Sequence, residues 1–276
     1  MIAGLPMYDL PEIRHATDAW WDGLTQSFRR EGVTDPPVRL YRPPETEAIW
    51  KRPDLFLTQI CGFNFACDWR GRLTYVATPC YSAPGCFGPN YRSFIVVRVS
   101  SGAHTLEDLR GSTCAINGHT SQSGCNALRF AVAPLTSAGA FFGSEIVSGS
   151  HVESLKLVSS GRADLAAIDC ITYELLRRHR SAFTDATRVL AETVVAPVGP
   201  YVARADIPEE KVRQLQRGLM RAAMDPRLAS VRAELCIRSF EVLSSEAYDC
   251  IRDMERETRY DSRLATYPSG SMLESP

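Results

Sequence analysis

The chain has 276 residues, of which 45% are hydrophobic and 23% charged, and its 31 basic residues nearly balance 32 acidic ones. This composition is typical of a globular protein and excludes a disordered or fibrous chain. The net charge of −1 argues against a nucleic-acid-binding protein, which usually carries a clearly basic face. No apolar run approaches the roughly 18 residues of a membrane-spanning helix, so we expect no membrane insertion.

The N-terminus does not read as a secretory signal. Such a signal has a basic segment followed by an apolar stretch, whereas residues 1–8 lead directly into Asp9 and Pro11. As written, the sequence predicts a cytoplasmic protein. A mis-assigned or trimmed start would instead predict a periplasmic one.

Helices and strands alternate along the chain. The spacing of apolar residues predicts helices over 11–30, 45–50, 123–133, from 208 onward and over 244–260. Apolar runs bounded by turn residues predict strands over 38–41, 55–60, 73–78, 94–97, 114–116 and 237–242. Helix and strand are expected to alternate again over 151–160, 164–168, 171–180 and 187–192. This pattern predicts an α/β protein with mainly parallel sheets.

At about 150 residues per domain, the length predicts about two domains, or one large one. No segment before the C-terminal dozen residues, which are expected to be frayed, has the composition of a linker. Crossings between the domains are therefore expected within extended segments, at 93–99 and 193–199. Two crossings predict a discontinuous first lobe, 1–95 plus 197–276, around a continuous second lobe, 96–196.

Neither the cysteines nor the histidines form a metal motif. None of the nine cysteines lies in a CxxC pair, which argues against a zinc ribbon or thioredoxin motif, and no HExxH or P-loop is present. We therefore expect no metal and no cofactor. Cys61/Cys67 and Cys80/Cys86 are close enough in sequence for disulfides, but reduced, mostly buried thiols are expected without a signal.

One Gly- and Ser-rich turn, residues 117–124, connects a predicted strand to a helix. A helix N-terminus presents free N–H groups and a partial positive charge, and Thr120, Ser121 and Ser123 add hydroxyl donors beside it. Such a turn can hold a small oxyanion without any lysine. The alternative is that Ser121 or Ser123 only caps the helix.

Between residues 3 and 260 the sequence resembles the phosphate/phosphite/phosphonate substrate-binding proteins of ABC transporters. The resemblance rests on the order and spacing of LPMYD (5–9), DLFLTQICG (54–62), VATPCYSAPGC (76–86), YRSFIVVR (91–98), TLEDLRG (105–111), SQSG (121–124) and SGSHVESLKLVSSGRADLAAIDC (148–170). It implies the type II periplasmic-binding-protein fold, in which two α/β lobes are joined by two extended crossings with a ligand cleft between them. It also implies capture of a phosphonate- or phosphate-like anion without catalysis, and it allows an ABC permease as a partner.

The resemblance assigns several residues to the ligand site. The Ser- and Thr-rich helix start that holds phosphonate oxygens in the family corresponds to Ser121, Gln122 and Ser123. Gln122 stands where the family usually has Thr, which indicates a different ligand size or charge. Asp169 matches an acid that can hold the amine of an aminophosphonate. Tyrosines that close over the ligand correspond to Tyr8 and Tyr81.

Three further polar residues complete the predicted site: Gln59, Arg92 and His151. Each has a structural alternative, because Gln59 can satisfy loop backbone, Arg92 can pair with an acid across the hinge instead of binding an anion, and His151 can simply begin a helix. In the same way Tyr8 can staple the first helix, and Asp169 can cap the helix that follows it.

An enzyme on the same fold is the alternative function. Thiaminases of this fold use a cleft cysteine as nucleophile, and the candidates for such a set are Cys80, Cys86 or Cys125 with His119 or His151 and Asp169. An effector-binding module like that of LysR-type regulators ranks last, because no helix-turn-helix precedes the domain and the chain is not basic.

Overall fold

The computed structural model describes residues 1–136 and 140–259. Within these ranges the strands are β1 (Ile2–Gly4), β2 (Leu55–Gln59), β3 (Leu73–Tyr81), β4 (Asn90–Tyr91), β5 (Ser93–Arg98), β6 (Thr113–Ile116), β7 (Ser144–Val147), β8 (Leu165–Asp169), β9 (Thr187–Glu192), β10 (Ala196–Pro197), β11 (Tyr201–Arg204) and β12 (Ile237–Glu241). The predicted fraying of the C-terminal residues lies outside these ranges.

The same ranges contain the helices α1 (Arg14–Arg30), α2 (Glu47–Trp50), α3 (Ala127–Val132), α4 (His151–Ser159), α5 (Cys170–His179), α6 (Ser181–Asp185), α7 (Glu209–Met224), α8 (Ala229–Glu234) and α9 (Asp249–Arg259). A π-helical turn, Gln122–Asn126, leads directly into α3. The two together are called helix 122–132 below.

Ten of the twelve described strands form two five-stranded sheets. The first has the order β1-β2-β11-β3-β12 and the second the order β7-β6-β8-β5-β9. The first sheet thus takes strands from both ends of the described chain, and the second takes strands from its middle. The parts of the molecule built around the first and the second sheet are called the first and the second lobe below.

The prediction of mainly parallel sheets was wrong. β1 pairs parallel with β2, and β6 pairs parallel with β7 and β8, but β5 runs antiparallel to both β8 and β9. In the first sheet β11 is antiparallel to its neighbours, and β12 is antiparallel to β3. The physical reason is that β5 brings the chain into the second sheet and β9 takes it out beside β5, so the two strands point in opposite directions.

The chain passes between the sheets at a short antiparallel ladder of β4 with β10. The predicted crossing at 93–99 is largely β5, a full member of the second sheet. A lobe boundary after residue 95 would cut this strand, so the change of sheet comes before Ser93. The division into 1–95 plus 197–276 and 96–196 otherwise stays a prediction.

The predicted strand at 38–41 is not formed. Tyr41 donates its N–H to the carbonyl of Ala3, but proline pairs on both sides, Pro36–Pro37 and Pro43–Pro44, lack the N–H groups that a longer ladder needs.

Helix α1 covers one face of the first sheet with large apolar side chains. Trp20, Trp21, Leu24 and Phe28 are each at most 1% exposed. A Cβ at Gly218 of α7 would lie 2.3 Å from a ring carbon of Phe28, so the glycine permits the close approach of α7 to α1.

The last helix of the described residues, α9, contacts both lobes. On the first-lobe side Ile251 packs against Gly62. On the other side Asn126 of helix 122–132 donates its amide to the carbonyl of Ile251 (3.1 Å). No helix in the described part of the chain is long and apolar enough to cross a membrane.

Candidate functional site

A cavity of about 320 Å³ is lined by residues of both lobes. Of the nine residues predicted for the site, the structure brings six to its wall: Tyr8, Gln59, Ser121, Ser123, His151 and Asp169. It does not bring Tyr81, Arg92 or Gln122 there.

Three helix N-termini open onto this cavity, each following a strand of the parallel part of the second sheet. β6 leads to helix 122–132, β7 to α4, and β8 to α5. The carboxyl ends of parallel strands share one edge of a sheet, where ligands bind in open α/β folds. The helix starts at this edge direct backbone N–H groups and partial positive charge at the cavity.

Ser121 and Ser123 have different roles. The Ser121 hydroxyl accepts the N–H of Gly124 (3.0 Å) and so caps helix 122–132. Capping was the alternative to ligand binding that the sequence left open for this residue. Ser123 makes no such cap. Its hydroxyl lies 2.8 Å from His151 Nε2, which leaves it at the cavity wall as a polar contact for a ligand.

His151 is the first residue of α4 and is neutral near pH 7. Enclosure by protein lowers its pKa from 6.5 to about 4, and the backbone of Ala167 offsets this lowering only in part. Since α4 is capped by the Ser150 hydroxyl on the N–H of Glu153 (3.2 Å), His151 itself is not needed as a cap. A neutral imidazole can either accept from or donate to Ser123, so it orients that hydroxyl.

Asp169 caps α5 and also reaches across the cavity. Its Oδ1 accepts the N–H groups of Ile171 (2.7 Å) and Thr172 (2.9 Å). Its Oδ2 accepts the hydroxyl of Tyr8 (2.9 Å). Burial raises the pKa of Asp169 from 3.8 to about 6, and these hydrogen bonds counteract the rise only in part.

Gly124 is required by its surroundings. A Cβ at this position would lie 1.8 Å from Asn117 Oδ1 and 3.1 Å from a ring carbon of His151. Any side chain would displace Asn117 from the cavity wall. The glycine therefore lets the helix start and the 117–121 loop approach each other closely.

Gln59 and Tyr81 support the first-lobe wall. The Gln59 amide donates to the carbonyl of Gly199 (2.9 Å), which is the structural role open to it from sequence, although Gln59 also lines the cavity. Tyr81 donates to Gln59 Oε1 (3.3 Å) and packs edge-on against Tyr8 at 5.1 Å between ring centroids. Tyr81 thus lies behind Tyr8, not at the ligand surface predicted for it.

Arg92 and Gln122 are directed elsewhere by long-range partners. The Arg92 guanidinium pairs with Glu192 and lies over the ring of Phe87, so the pairing across the hinge replaces the predicted anion contact. Gln122 is buried and accepts the amide of Asn126 (2.8 Å), with its own amide facing Met254 of α9. Its side chain secures α9 instead of reaching the cavity.

Sequence reasoning missed several lining residues, among them Trp50, Cys61, Tyr91, Asn117 and Thr172. Asn117 and Thr172 lie within a few residues of the predicted Ser121 and Asp169, so helix-start proximity was a usable signal for them. Tyr91 and Cys61 carried no such signal, because only the crossing ladder and the end of β2 bring them to the wall.

The described lining of the cavity contains no lysine or arginine, and its charged groups are Glu47 and Asp169. A bound anion would therefore be neutralised by N–H groups, hydroxyls and helix termini.

None of the cysteines of the predicted nucleophilic set lines this cavity. Burial raises the pKa of the Cys80 and Cys125 thiols to about 11, and the pKa of Cys86 is raised further, first by its contact with Cys170. Cys61 does line the cavity, but burial raises the pKa of its thiol as well. A nucleophilic thiol needs the opposite shift.

A protein-family model described as the periplasmic substrate-binding protein of phosphonate ABC transporters matches residues 74–248. No curated protein matches the sequence. Among solved structures, a binding-protein component of an ABC phosphonate transporter from Pseudomonas aeruginosa is similar at 17% identity and a TM-score of 0.75, over 98% of this chain and 90% of that one.

Two other structures cover nearly all of the chain. PhnD1 from Prochlorococcus marinus, in complex with methylphosphonate, is 15% identical with a TM-score of 0.72, over 94% of this chain and 98% of that one. A Xanthomonas citri protein bound to ATP is 16% identical with a TM-score of 0.70, over 96% and 99%.

These similarities confirm the predicted fold, in which two α/β lobes are joined by two extended crossings with a cleft between them. The family match covers more than half of the chain, and it agrees with the resemblance drawn from the sequence segments. The chain therefore belongs to the periplasmic substrate-binding proteins of phosphonate ABC transporters.

Proposed function

We propose that this chain binds a small phosphonate or a similar oxyanion in the interlobe cavity, with the anion at the starts of helix 122–132 and α4. One observation carries the proposal: a neutral, Ser121-capped helix start and the Ser123 hydroxyl both face a cavity of small-molecule size. The partial positive charge of a helix N-terminus favours an anion there.

The opposite side of the cavity suits a different part of the ligand. Asp169 occupies the start of α5, and its carboxylate opposes a second negative charge. We therefore place a hydrogen-bond donor of the ligand, such as the ammonium group of an aminophosphonate, beside Asp169 and Tyr8. Such a group would compete with the Tyr8 hydroxyl for Asp169 Oδ2.

Binding without catalysis is the role that the site chemistry supports. The family is a transport family, the cavity thiol of Cys61 has a raised pKa, and His151, with a pKa of about 4, is a weak base at neutral pH. The Ser123–His151 contact therefore lacks the strong base of an activated serine.

The family assignment also supports a cellular role. Its members are periplasmic components of ABC transporters, and we propose that this chain delivers its ligand to an ABC permease from the periplasm. Fractionation of cells that make the full-length protein tests this, and recovery with cytoplasmic markers alone would contradict it.

Calorimetry with methylphosphonate, 2-aminoethylphosphonate, phosphate, sulfate and acetate tests the ligand class. Ser123→Ala removes one hydrogen bond to a charged group, worth about 1.5–3 kcal/mol, and should weaken phosphonate binding by about tenfold to a hundredfold. Ser159→Ala, at the far end of α4, is the matched control and should bind like wild type. Unchanged binding in Ser123→Ala, or no binding of any of these anions, would contradict the proposed site.

A further inference from the structure

Two cysteines meet where the lobes meet. Cys86 Sγ lies 3.5 Å from Cys170 Sγ, although the residues are 84 positions apart in the chain. Cys86 lies in the loop between β3 and β4, and Cys170 is the first residue of α5, directly after Asp169. Sequence spacing suggested the pairs Cys61/Cys67 and Cys80/Cys86, and neither of them is the Cys86–Cys170 pair.

Each sulfur is fixed to a different lobe. The loop that carries Cys86 is fastened to the first lobe by Ser82, whose N–H (2.7 Å) and hydroxyl (3.2 Å) both donate to the carbonyl of Cys236, just before β12. Cys170 follows β8 of the second sheet. A covalent bond between the two sulfurs would therefore join the lobes.

The loop backbone approaches α5 closely at the residue before Cys86. A Cβ built on Gly85 would lie 3.0 Å from the Cβ of Cys170, and Gly85 has a φ of +94°. Glycine at this left-handed position brings the loop against α5. The sulfurs would have to approach from 3.5 Å to about 2.05 Å, the length of a disulfide.

We propose that Cys86 and Cys170 are a redox-modification site, and that a disulfide oxidant such as oxidised glutathione converts them to a reversible disulfide that holds the cleft closed. Cys86 is half-buried, whereas Cys170 is 0% exposed, so Cys86 reacts first.

The reaction is a pair of thiol–disulfide exchanges. The Cys86 thiolate, having lost its proton to water, attacks one sulfur of oxidised glutathione, and the S–S bond breaks to release one glutathione thiolate. Cys170 then loses its proton to water, and its thiolate attacks the Cys86 sulfur of the mixed disulfide and expels the second glutathione thiolate. The two glutathione thiolates take up the two protons. Two protein thiols are oxidised, and one glutathione disulfide is reduced to two thiols.

The contact with Cys170 and burial raise the pKa of the Cys86 thiol. Little thiolate is therefore present at neutral pH, and oxidation should be slow and should accelerate as the pH rises.

Other cysteines are oriented differently: Cys80, for example, directs its thiol at Glu241 (3.5 Å).

The first test is chemical and needs no ligand. The full-length reduced protein is incubated with oxidised glutathione, free thiols are alkylated, and peptides are mapped without reduction. The expected product is a Cys86–Cys170 crosslink that dithiothreitol reverses. Cys86→Ser and Cys170→Ser should each abolish it, and Cys250→Ser, at an exposed cysteine, should retain it. No crosslink, or a different pair, would overturn the proposal.

The second test measures closure. Hydrogen–deuterium exchange of residues 117–124 and 169–172 should slow on oxidation in wild type and Cys250→Ser, and recover on reduction. Cys86→Ser treated with the oxidant should exchange like the reduced wild type. Its unfolding midpoint, compared with that of reduced wild type, shows whether the variant is folded, so the test does not depend on whether Cys170→Ser folds. A crosslink that leaves hydrogen–deuterium exchange unchanged would contradict the proposal that the disulfide holds the cleft closed. Neither readout depends on the anion-binding proposal.

Discussion

Of the three helix starts that open onto the cavity, two have caps that give them opposite electrostatic character. Helix 122–132 is capped by the neutral hydroxyl of Ser121, whereas α5 is capped by the carboxylate of Asp169. The hydroxyl leaves the partial positive charge of the terminus available to a ligand, and the carboxylate compensates it. A helix N-terminus thus favours an anion only where its own cap is uncharged.

The largest effect expected from this contrast is a pH dependence set by Asp169. Burial raises the pKa of Asp169 to about 6 in the folded state, from 3.8, so the folded protein binds this proton more tightly than the unfolded chain does. The resulting stability is present below about pH 4 and is lost as the pH rises through about 6. The loss amounts to about 3 kcal/mol. Urea unfolding between pH 4 and 7 should show it as a difference between wild type and Asp169→Asn.

His151 provides a control of opposite sign. Its pKa is lowered to about 4, so its contribution to stability is present above about pH 6.5 and is lost as the pH falls toward 4. Relative to His151→Gln, wild type should therefore become more stable with rising pH over the same window. Equal slopes for wild type and Asp169→Asn would contradict the raised pKa of the acid.

Making the first helix start like the second should abolish the difference between them. Ser121→Asp places a carboxylate beside the proposed anion. At an effective dielectric constant of about 20, two like charges about 6 Å apart repel by about 3 kcal/mol, so the Kd for methylphosphonate should rise by about 100-fold. Calorimetry gives the Kd.

Because Asp caps helices about as well as Ser, the stability of Ser121→Asp should stay close to that of wild type. Ser100→Asp adds the same charge at an exposed position that does not line the cavity and should bind like wild type. Equal Kd values for the two variants would show that the anion does not contact this helix start.

The smallest expected effect separates capping from binding. Ser121→Ala removes the hydrogen bond to Gly124 and should lower the free energy of unfolding by about 1 kcal/mol. Its Kd for methylphosphonate should change less than that of Ser123→Ala, because the Ser121 hydroxyl already accepts a backbone N–H, whereas the Ser123 hydroxyl does not. Thermal unfolding and calorimetry on the two variants test this, and the reverse order of the Kd effects would contradict the assigned roles.

The features that sequence could predict are local ones. The helix start after β6 was recognisable because the Gly- and Ser-rich segment 117–124 follows a predicted strand, and the cap of α5 because Asp169 directly precedes that helix. The two-lobe fold was predictable from the alternation of helices and strands and from the order of the segments that resemble the family. Strand directions were not local: those of β5 and β11 depend on where the chain enters and leaves each sheet.

The errors in the site follow from long-range partners. Arg92 pairs with Glu192, 100 residues away, and Gln122 faces Met254, 132 residues away. A single sequence contains no periodicity that reports such contacts. Tyr81 was predicted at the ligand surface but lies one layer deeper, because sequence spacing does not tell which of two tyrosines packed edge to face lines the cavity.

The position of α9 limits how the two lobes can move. Two neighbouring strands on their own would let the lobes both bend and twist about the crossing. Because Ile251 contacts Gly62 of the first lobe and its carbonyl accepts the Asn126 amide of the second, the helix is a third connection between the lobes, beside the two strands. Attachment at a third place resists both bending and twisting of one lobe against the other. We therefore expect any change in the angle between the lobes to break first one of the two contacts of α9, that with Gly62 or that with Asn126.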